Sequence, residues 1–283
     1  MPAVLANDNY GKSAIRVVKV VRDGVRHTVH DLTVDVRCQG EFRAAHVDGD
    51  NAAVLPTDTM KNVVYALARQ NDVHPPERFA ALVGERLLAE SPRATRVVVE
   101  IAGHEWSRLD VKGRPHDAAF EFGGSEVRIA SVASVRGAPA ESEAGLRDLV
   151  LLRTAGSAFS GFPRDAYTTL KETRDRILST SATARWRYGA TPTNPDSAFD
   201  AVRQALLETF ATHPSESVQH TLYAMGEAAI GASDEVREIR LSLPNRHHLL
   251  VDLAPFGLDN PNEIFVPTVE PYGLIEGTVR RKG

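Results

Sequence analysis

Thr57-Asp58-Thr59 heads the segment AVLPTDTMKNVVYALARQ, residues 53–70, in which Met60, Val63, Val64, Leu67 and Ala68 recur at helical spacing. One capping side chain is enough for a helix end, and three of that type stand here in a row. Two readings follow. A Thr or Asp oxygen caps a backbone N–H while its neighbour faces water, or the free N–H groups and positive dipole end receive an anionic or amide-rich ligand. Lys12 follows Tyr10-Gly11 just ahead of a β-branched stretch. Solvation is the ordinary fate of such an amine; desolvated, it loses proton affinity and can act as a base near neutral pH. Arg176, in TTLKETRDRILST, either joins a surface network with Asp175 or offers two parallel donors to a planar ligand carrying adjacent carbonyl and deprotonated ring-nitrogen acceptors. Gln219, one turn inside a helix, signals little by itself. In LPNRHHLLVDL, Pro244-Asn245 breaks a strand and His247-His248 starts the next. Adjacent strand residues point to opposite faces, so only one of the two histidines serves any given site.

Other chemistries find no support. The remaining histidines are scattered singly and there is one cysteine, Cys38, so neither a metal cluster nor an internal disulfide is expected. No GxxxxGK[ST], GxGxxG or Gly-x-Ser-x-Gly pattern occurs. The chain has 283 residues, 42% hydrophobic and 25% charged, with a net charge of -4. That excludes disorder and a basic nucleic-acid footprint, and leaves a small molecule or another subunit as the partner. The N-terminus lacks a basic start followed by an apolar stretch, and no apolar run approaches ~18 residues. With its single cysteine, the chain is therefore expected in a reducing cytoplasm, away from membranes. It ends TVRRKG, not Ser-Lys-Leu, so the peroxisomal address is missing too.

The elements that must position these residues form a repeated order. AIRVVKVV (14–21) and VRHTVHDLTVDVRC (25–38) read as a hairpin about the turn RDG. Two helices follow, the second starting at Pro75-Pro76 with Phe79, Val83, Leu87 and Leu88 on its apolar face. Strands are expected at 94–103, 105–111 and 117–122. The order then begins again with strands at 126–135 and 146–153, the loop RGAPAESEAG between them. Residues 154–181 lack periodicity, and such an irregular insert is where a site could sit. A strand at 183–189, helices near 195–212 and 215–231, and strands at 236–243 and 247–253 complete it. The fold class is α+β, a duplicated ββααββ module of antiparallel sheet with both helices on one face, divided as residues 1–136 and 137–283. Short edge strands invite closure into a barrel in a symmetric oligomer.

Five stretches in order, YGK (10–12), TDTMKNVVY (57–65), FSGFPRDAYTTLKETRDRILST (159–180), SVQHTLYAM (217–225) and LPNRHHLLVDL (243–253), resemble the urate oxidase (uricase) family over nearly the whole chain. The resemblance implies the tunnelling fold, two ββααββ modules per chain assembling as a homotetramer around a barrel-lined tunnel. It further implies oxidation of urate by dioxygen to 5-hydroxyisourate and hydrogen peroxide, with no metal or other cofactor. By the same resemblance Arg176 and Gln219 grip the purine, Phe159 stacks on it, Val218 supplies a backbone N–H, and Ile275 lines the cavity. Thr57 and Asp58 reach urate held by a neighbouring subunit. Lys12, Thr57 and His247 match the family's proton relay, while Asn245 and Thr57 match the residues that hold dioxygen or water above the ring. His248 stands where relatives often carry an aromatic residue, and Ser160 where some carry a bulkier one; both bear on packing at the pocket rim. Two alternatives are a zinc-dependent pterin or GTP enzyme of the same fold, which calls for a metal cluster, and an inactive purine-binding protein, which would lack the relay.

Overall fold

The structure, a computed structural model, describes residues 3–282. It divides into two compact units, the first running to Gly145 and including Arg187–Ser197, the second holding the remainder.

In the first unit β1 (Tyr10–Asp23) and β2 (Arg26–Gly40) form the expected hairpin, closed by the Asp23 and Arg26 pair. Gly24, at φ 56, supplies the left-handed backbone that so tight a turn demands. Then come α1 (Arg43–Val47), α2 (Thr57–Gln70), α3 (Pro76–Glu90), β3 (Ala94–Asp110) and β4 (Pro115–Val135), the strands pairing antiparallel in chain order. Helix α2 packs on β1, and α3 on β3 and β4. Met60, Val64 and Ala68 of α2 and Phe79, Val83 and Leu87 of α3 thereby meet Val34, Val36, Val97, Val99 and Ile101 in one buried cluster. Each large apolar side chain so buried stabilises the fold by about 1.5–3 kcal/mol.

The strand boundaries need correcting. Residues 94–103 and 105–111 are one strand, as are 117–122 and 126–135. Between the His104 and Val127 pair and the Trp106 and Phe122 pair, Glu105 alone faces Gly123–Glu126, so the Gly123-Gly124 doublet is a bulge in a continuous ladder and not a turn. Residues 127–135 pair with β3 and therefore belong to the first repeat instead of opening the second.

The second unit contains most of β5 (Glu141–Arg153) and β6 (Leu178–Tyr188), most of α4 (Pro195–Thr212), and all of α5 (Val218–Ala232), β7 (Val236–Leu250) and β8 (Phe265–Arg280). The strands neighbour one another in the order β5-β6-β7-β8, and α5 packs on β7 and β8. Val218, Leu222, Met225 and Ala229, expected to share a face, are all buried. Strand β7 passes straight through Pro244-Asn245; the irregularity lies just beyond, between Asn245 and His247, where Arg246 faces Val269–Tyr272. Strand β8 escaped sequence reading because Pro267, Pro271, Gly273 and Gly277 punctuate it. Standing last in the strand order, it tolerates prolines that have no N–H to give.

One ionic cluster pins the start of α3 to its sheet. Arg128 on β4 donates to both carboxylate oxygens of Glu77 (3.1 and 3.0 Å) and to Asp196 (2.7 Å), whose other oxygen lies 3.0 Å from His74 Nε2. Glu77 is 2% exposed and Arg128 9%. Although burial opposes its charge, the neighbouring carboxylates hold Arg128 firmly protonated. Glu77→Ala takes two bonds to a carboxylate from that buried guanidinium and should destabilise the protein by about 3 kcal/mol in denaturant unfolding. A loss below about 1 kcal/mol, the range of exposed pairs, would show that the remaining partners of Arg128 suffice. No helix among the described residues is long and apolar enough to cross a membrane.

Candidate active site

The site residues fall into two sets, each held within one unit. Lys12, Thr57 and Asp58 belong to the first; Phe159, Arg176, Val218, Gln219, Asn245, His247 and Ile275 belong to the second.

In the first set, sequence dictates an unusual start to β1. A side chain at Gly11 would place its Cβ 1.8 Å from the Val36 carbonyl oxygen, so only glycine lets the strand pass. Immediately after Lys12 the register slips, and Ala14 takes φ 57 with its N–H donating 2.8 Å to Asp35. That bulge, with strain at a non-glycine residue, re-aims the strand where Lys12 leaves it. Tyr10 then ties β1 to the approach of α2, its hydroxyl accepting the Leu55 N–H at 3.0 Å and its ring standing edge-on to Phe42.

Helix α2 is capped neither by Thr57 nor by Asp58. The N-cap is Pro56, with no side-chain cap, and the first helical bond runs from Met60 N–H to the Pro56 carbonyl. The N–H groups of residues 57–59 thus point out of the helix end, and the Thr57 hydroxyl meets no partner among the described residues. Asp58 is exposed and binds Lys61 and Asn62; chiefly the Lys61 bond, with a further contribution from the charge of Lys12, lowers its pKa. The capping reading is therefore overturned. What remains is a polar, uncapped helix start with an amine nearby, and that arrangement suits an anion.

In the second set, Arg176 and Phe159 come from the irregular stretch between β5 and β6. Phe159 is fixed by paired backbone bonds with Thr173, 2.8 Å from its N–H and 3.0 Å to its carbonyl. Its ring stacks on Phe162 with centroids 4.9 Å apart and planes 15° apart, and the Arg176 Cζ sits 5.3 Å from its centroid. Burial lowers the Arg176 pKa. Its Nε is buried with no hydrogen-bond partner, and the expected surface network does not form: Asp175 instead accepts the Gly156 N–H at 2.6 Å. A buried, unpaired guanidinium donor beside an aromatic face is an arrangement that a planar acceptor ligand completes.

Ser217 caps α5 through the His220 N–H, and Thr221 N–H bonds the Ser217 carbonyl. The Val218 and Gln219 N–H groups have no partner among the described residues, so Val218 buries its side chain while its amide remains available. The Gln219 side chain is exposed and without a partner among the described residues. Asn245 pairs with Gly273 across β7 and β8; a Cβ at Gly273 would lie 3.9 Å from Asn245 Cβ and 3.7 Å from Ile275 Cδ1, so the three share a face. His247, beyond the irregularity, pairs with Thr268. His248 has a buried Nδ1 with no partner. Phe162, which backs Phe159, went unnoticed in the sequence, although a second aromatic three residues on was the available signal. No group of three His, Cys, Asp or Glu side chains among the described residues could hold a metal ion.

Comparison with known proteins finds matches over nearly the whole chain. The family model Uricase matches residues 8–133 and 142–276. A uricase of Arthrobacter globiformis is 45% identical over 99% of this chain and 91% of its own length. A uricase of Emericella nidulans is 37% identical over 99% of this chain and 98% of its own. The crystal structure of uricase from Arthrobacter globiformis superposes with a TM-score of 0.95 at 44% identity, covering 100% of this chain and 96% of that one.

Proposed function

This chain belongs to the uricase family and oxidises urate in purine degradation, and from that premise we propose how its residues do so: without metal or flavin, using dioxygen directly, in sites completed by a neighbouring subunit of a homotetramer. The pterin or GTP alternative is not favoured. The observation that carries the site assignment is the buried, unpartnered Arg176 Nε with its guanidinium over the Phe159 ring. Arg176 and Gln219 hold the carbonyl oxygens and ring nitrogens along one urate edge, Phe159 offers its face, and the free Val218 N–H adds a directional donor. Ile275 closes the apolar side of the cavity. Thr57 and Asp58 approach from the neighbouring subunit at an uncapped helix end, whose partial positive charge favours the urate anion.

Urate, dioxygen and water give 5-hydroxyisourate and hydrogen peroxide. Two electrons pass from the purine to dioxygen, water supplies the new hydroxyl at C5, and two protons end on peroxide. Deprotonated urate is electron-rich enough to reduce dioxygen itself. The protein's task is to take the proton, hold the anion and confine dioxygen against the ring. Lys12, Thr57 and His247 form the relay that carries the proton away, while Asn245 and Thr57 hold dioxygen and then water above the purine. The single cysteine suits a reducing cytoplasm.

The test is an oxygen-electrode assay on chelator-treated protein, following urate absorbance and peroxide together. Equal consumption of urate and dioxygen, with matching peroxide and no response to added metals, is expected. Activity that returns only with a metal would overturn the cofactor-free mechanism.

A further inference from the structure

Phe159, Arg176, Val218 and Gln219 come from three chain segments with no secondary structure in common: 157–159, 173–176 and 215–219. Something beyond these segments must fix their spacing. Arg153, at the end of β5, donates through Nη1 to the carbonyls of Phe210 (3.0 Å) and His213 (2.7 Å), and through Nη2 to the carbonyl of Gly156. Gly156 in turn receives the Ser215 N–H on the same carbonyl (3.3 Å) and gives its own N–H to Asp175 at 2.6 Å. From that node the chain runs one residue to Ser157, bridged to Ser215, and on to Ala158, whose N–H bonds the Ser215 carbonyl at 2.7 Å. Asp175 is also locked to Thr173, the backbone partner of Phe159, through the Thr173 hydroxyl (2.8 Å). Phe159, Arg176 and the start of α5 are therefore all referred to one residue, Gly156.

We propose that Arg153 and Asp175 are positioning residues for substrate affinity: they clamp Gly156 from its two sides and thereby set the distance between the Phe159 and Arg176 face and the Val218 and Gln219 amides. Neither touches the urate. Both act on the grip and not on the relay: Lys12 and Thr57 belong to the other unit, and His247, though in the same unit, lies on β7, while the bonds of Arg153 and Asp175 run to Gly156, Thr173, Phe210 and His213. The guanidinium fork matters because one side chain serves three carbonyls at once, a task an ammonium performs poorly. This rests on the reading that Arg176 and Gln219 hold urate.

The test uses the full chain, with Arg153→Met, Arg153→Lys and Asp175→Asn beside Arg176→Gln as control. KM and kcat for urate are measured, together with equilibrium binding of xanthine, which keeps the purine edge and lacks the 8-oxo group. Arg153→Met should raise KM and weaken xanthine binding by about tenfold or more with kcat changed no more than about threefold, since small displacements of positioning groups act strongly. Arg153→Lys should fall between. Should Arg153→Met fail to fold, Asp175→Asn, which preserves shape and weakens one bond, decides the matter by the same split. A folded variant of either residue with wild-type KM and xanthine affinity, or with kcat alone reduced, overturns the proposal. Wild-type KM in Arg176→Gln overturns instead the reading of the site on which it stands.

Discussion

Thr57→Val lowers kcat for urate by about 10²–10⁴-fold, the range a positioned proton-transfer group commands, while the protein stays folded and KM moves little. The structure explains the expected separation of effects. Thr57 is the first residue of α2, its hydroxyl satisfies nothing in the fold, and the helix is started by the Pro56 carbonyl instead. Replacing Oγ by a methyl group removes no structural bond and no cap. Thr57→Ser, which restores the hydroxyl in a less restricted rotamer, should recover most of the rate. Lys12→Met keeps the aliphatic stem and should lose rate on the same scale with the fold intact, because among the described residues the amine only adds its charge near Asp58. Stopped-flow urate oxidation, with circular dichroism as the check on folding, reads both variants. Near-normal turnover in folded Thr57→Val would remove the hydroxyl from the relay. An equal loss in Thr57→Ser would point to packing at the helix start instead of to proton transfer.

How much of this was readable beforehand depends on the kind of signal each residue gives. Helices α2, α3 and α5 were legible because their apolar faces recur at a helical period and are buried as that period requires, as Met60, Val83 and Met225 show. Continuity of the long strands was not. Gly123-Gly124 and Pro244-Asn245 carry turn chemistry, and only the neighbouring strand decides whether such a pair ends a ladder or bulges within it. Strand β8 was lost for the same reason. Lys12, Thr57, Arg176 and Gln219 are individually commonplace, and residue type alone gives none of them a role. Their assignment came from resemblance across five separated stretches. The structure adds what resemblance could not: the glycine that lets β1 pass Val36, the Tyr10 tie to Leu55, the uncapped start of α2 and the unpaired Arg176 Nε. Arg153 left no trace in the sequence because its work is on carbonyl oxygens, which every residue carries.

Mixing two inactive chains should restore activity. Lys12, Thr57 and Asp58 lie in one compact unit, while Phe159, Arg176, Val218, Gln219, Asn245, His247 and Ile275 lie in the other. If each site takes its relay hydroxyl from one subunit and its purine grip from a neighbour, Thr57→Ala chains still offer intact Arg176, and Arg176→Ala chains still offer intact Thr57. Random assembly from equal amounts then makes about one site in four fully wild type, because each of the two contributing subunits must be of the right kind. Co-expression with two different affinity tags, and purification through both, isolates the mixed oligomers. Roughly a quarter of the wild-type rate is expected there, against almost none in either parent. The contrast is large because the parents fail for different reasons, one in proton transfer and one in holding the purine. If both sets of residues met within a single chain, every site in a mixed oligomer would carry one lesion and no rate would return. The experiment therefore separates a shared site from a private one without requiring knowledge of how the two units are arranged.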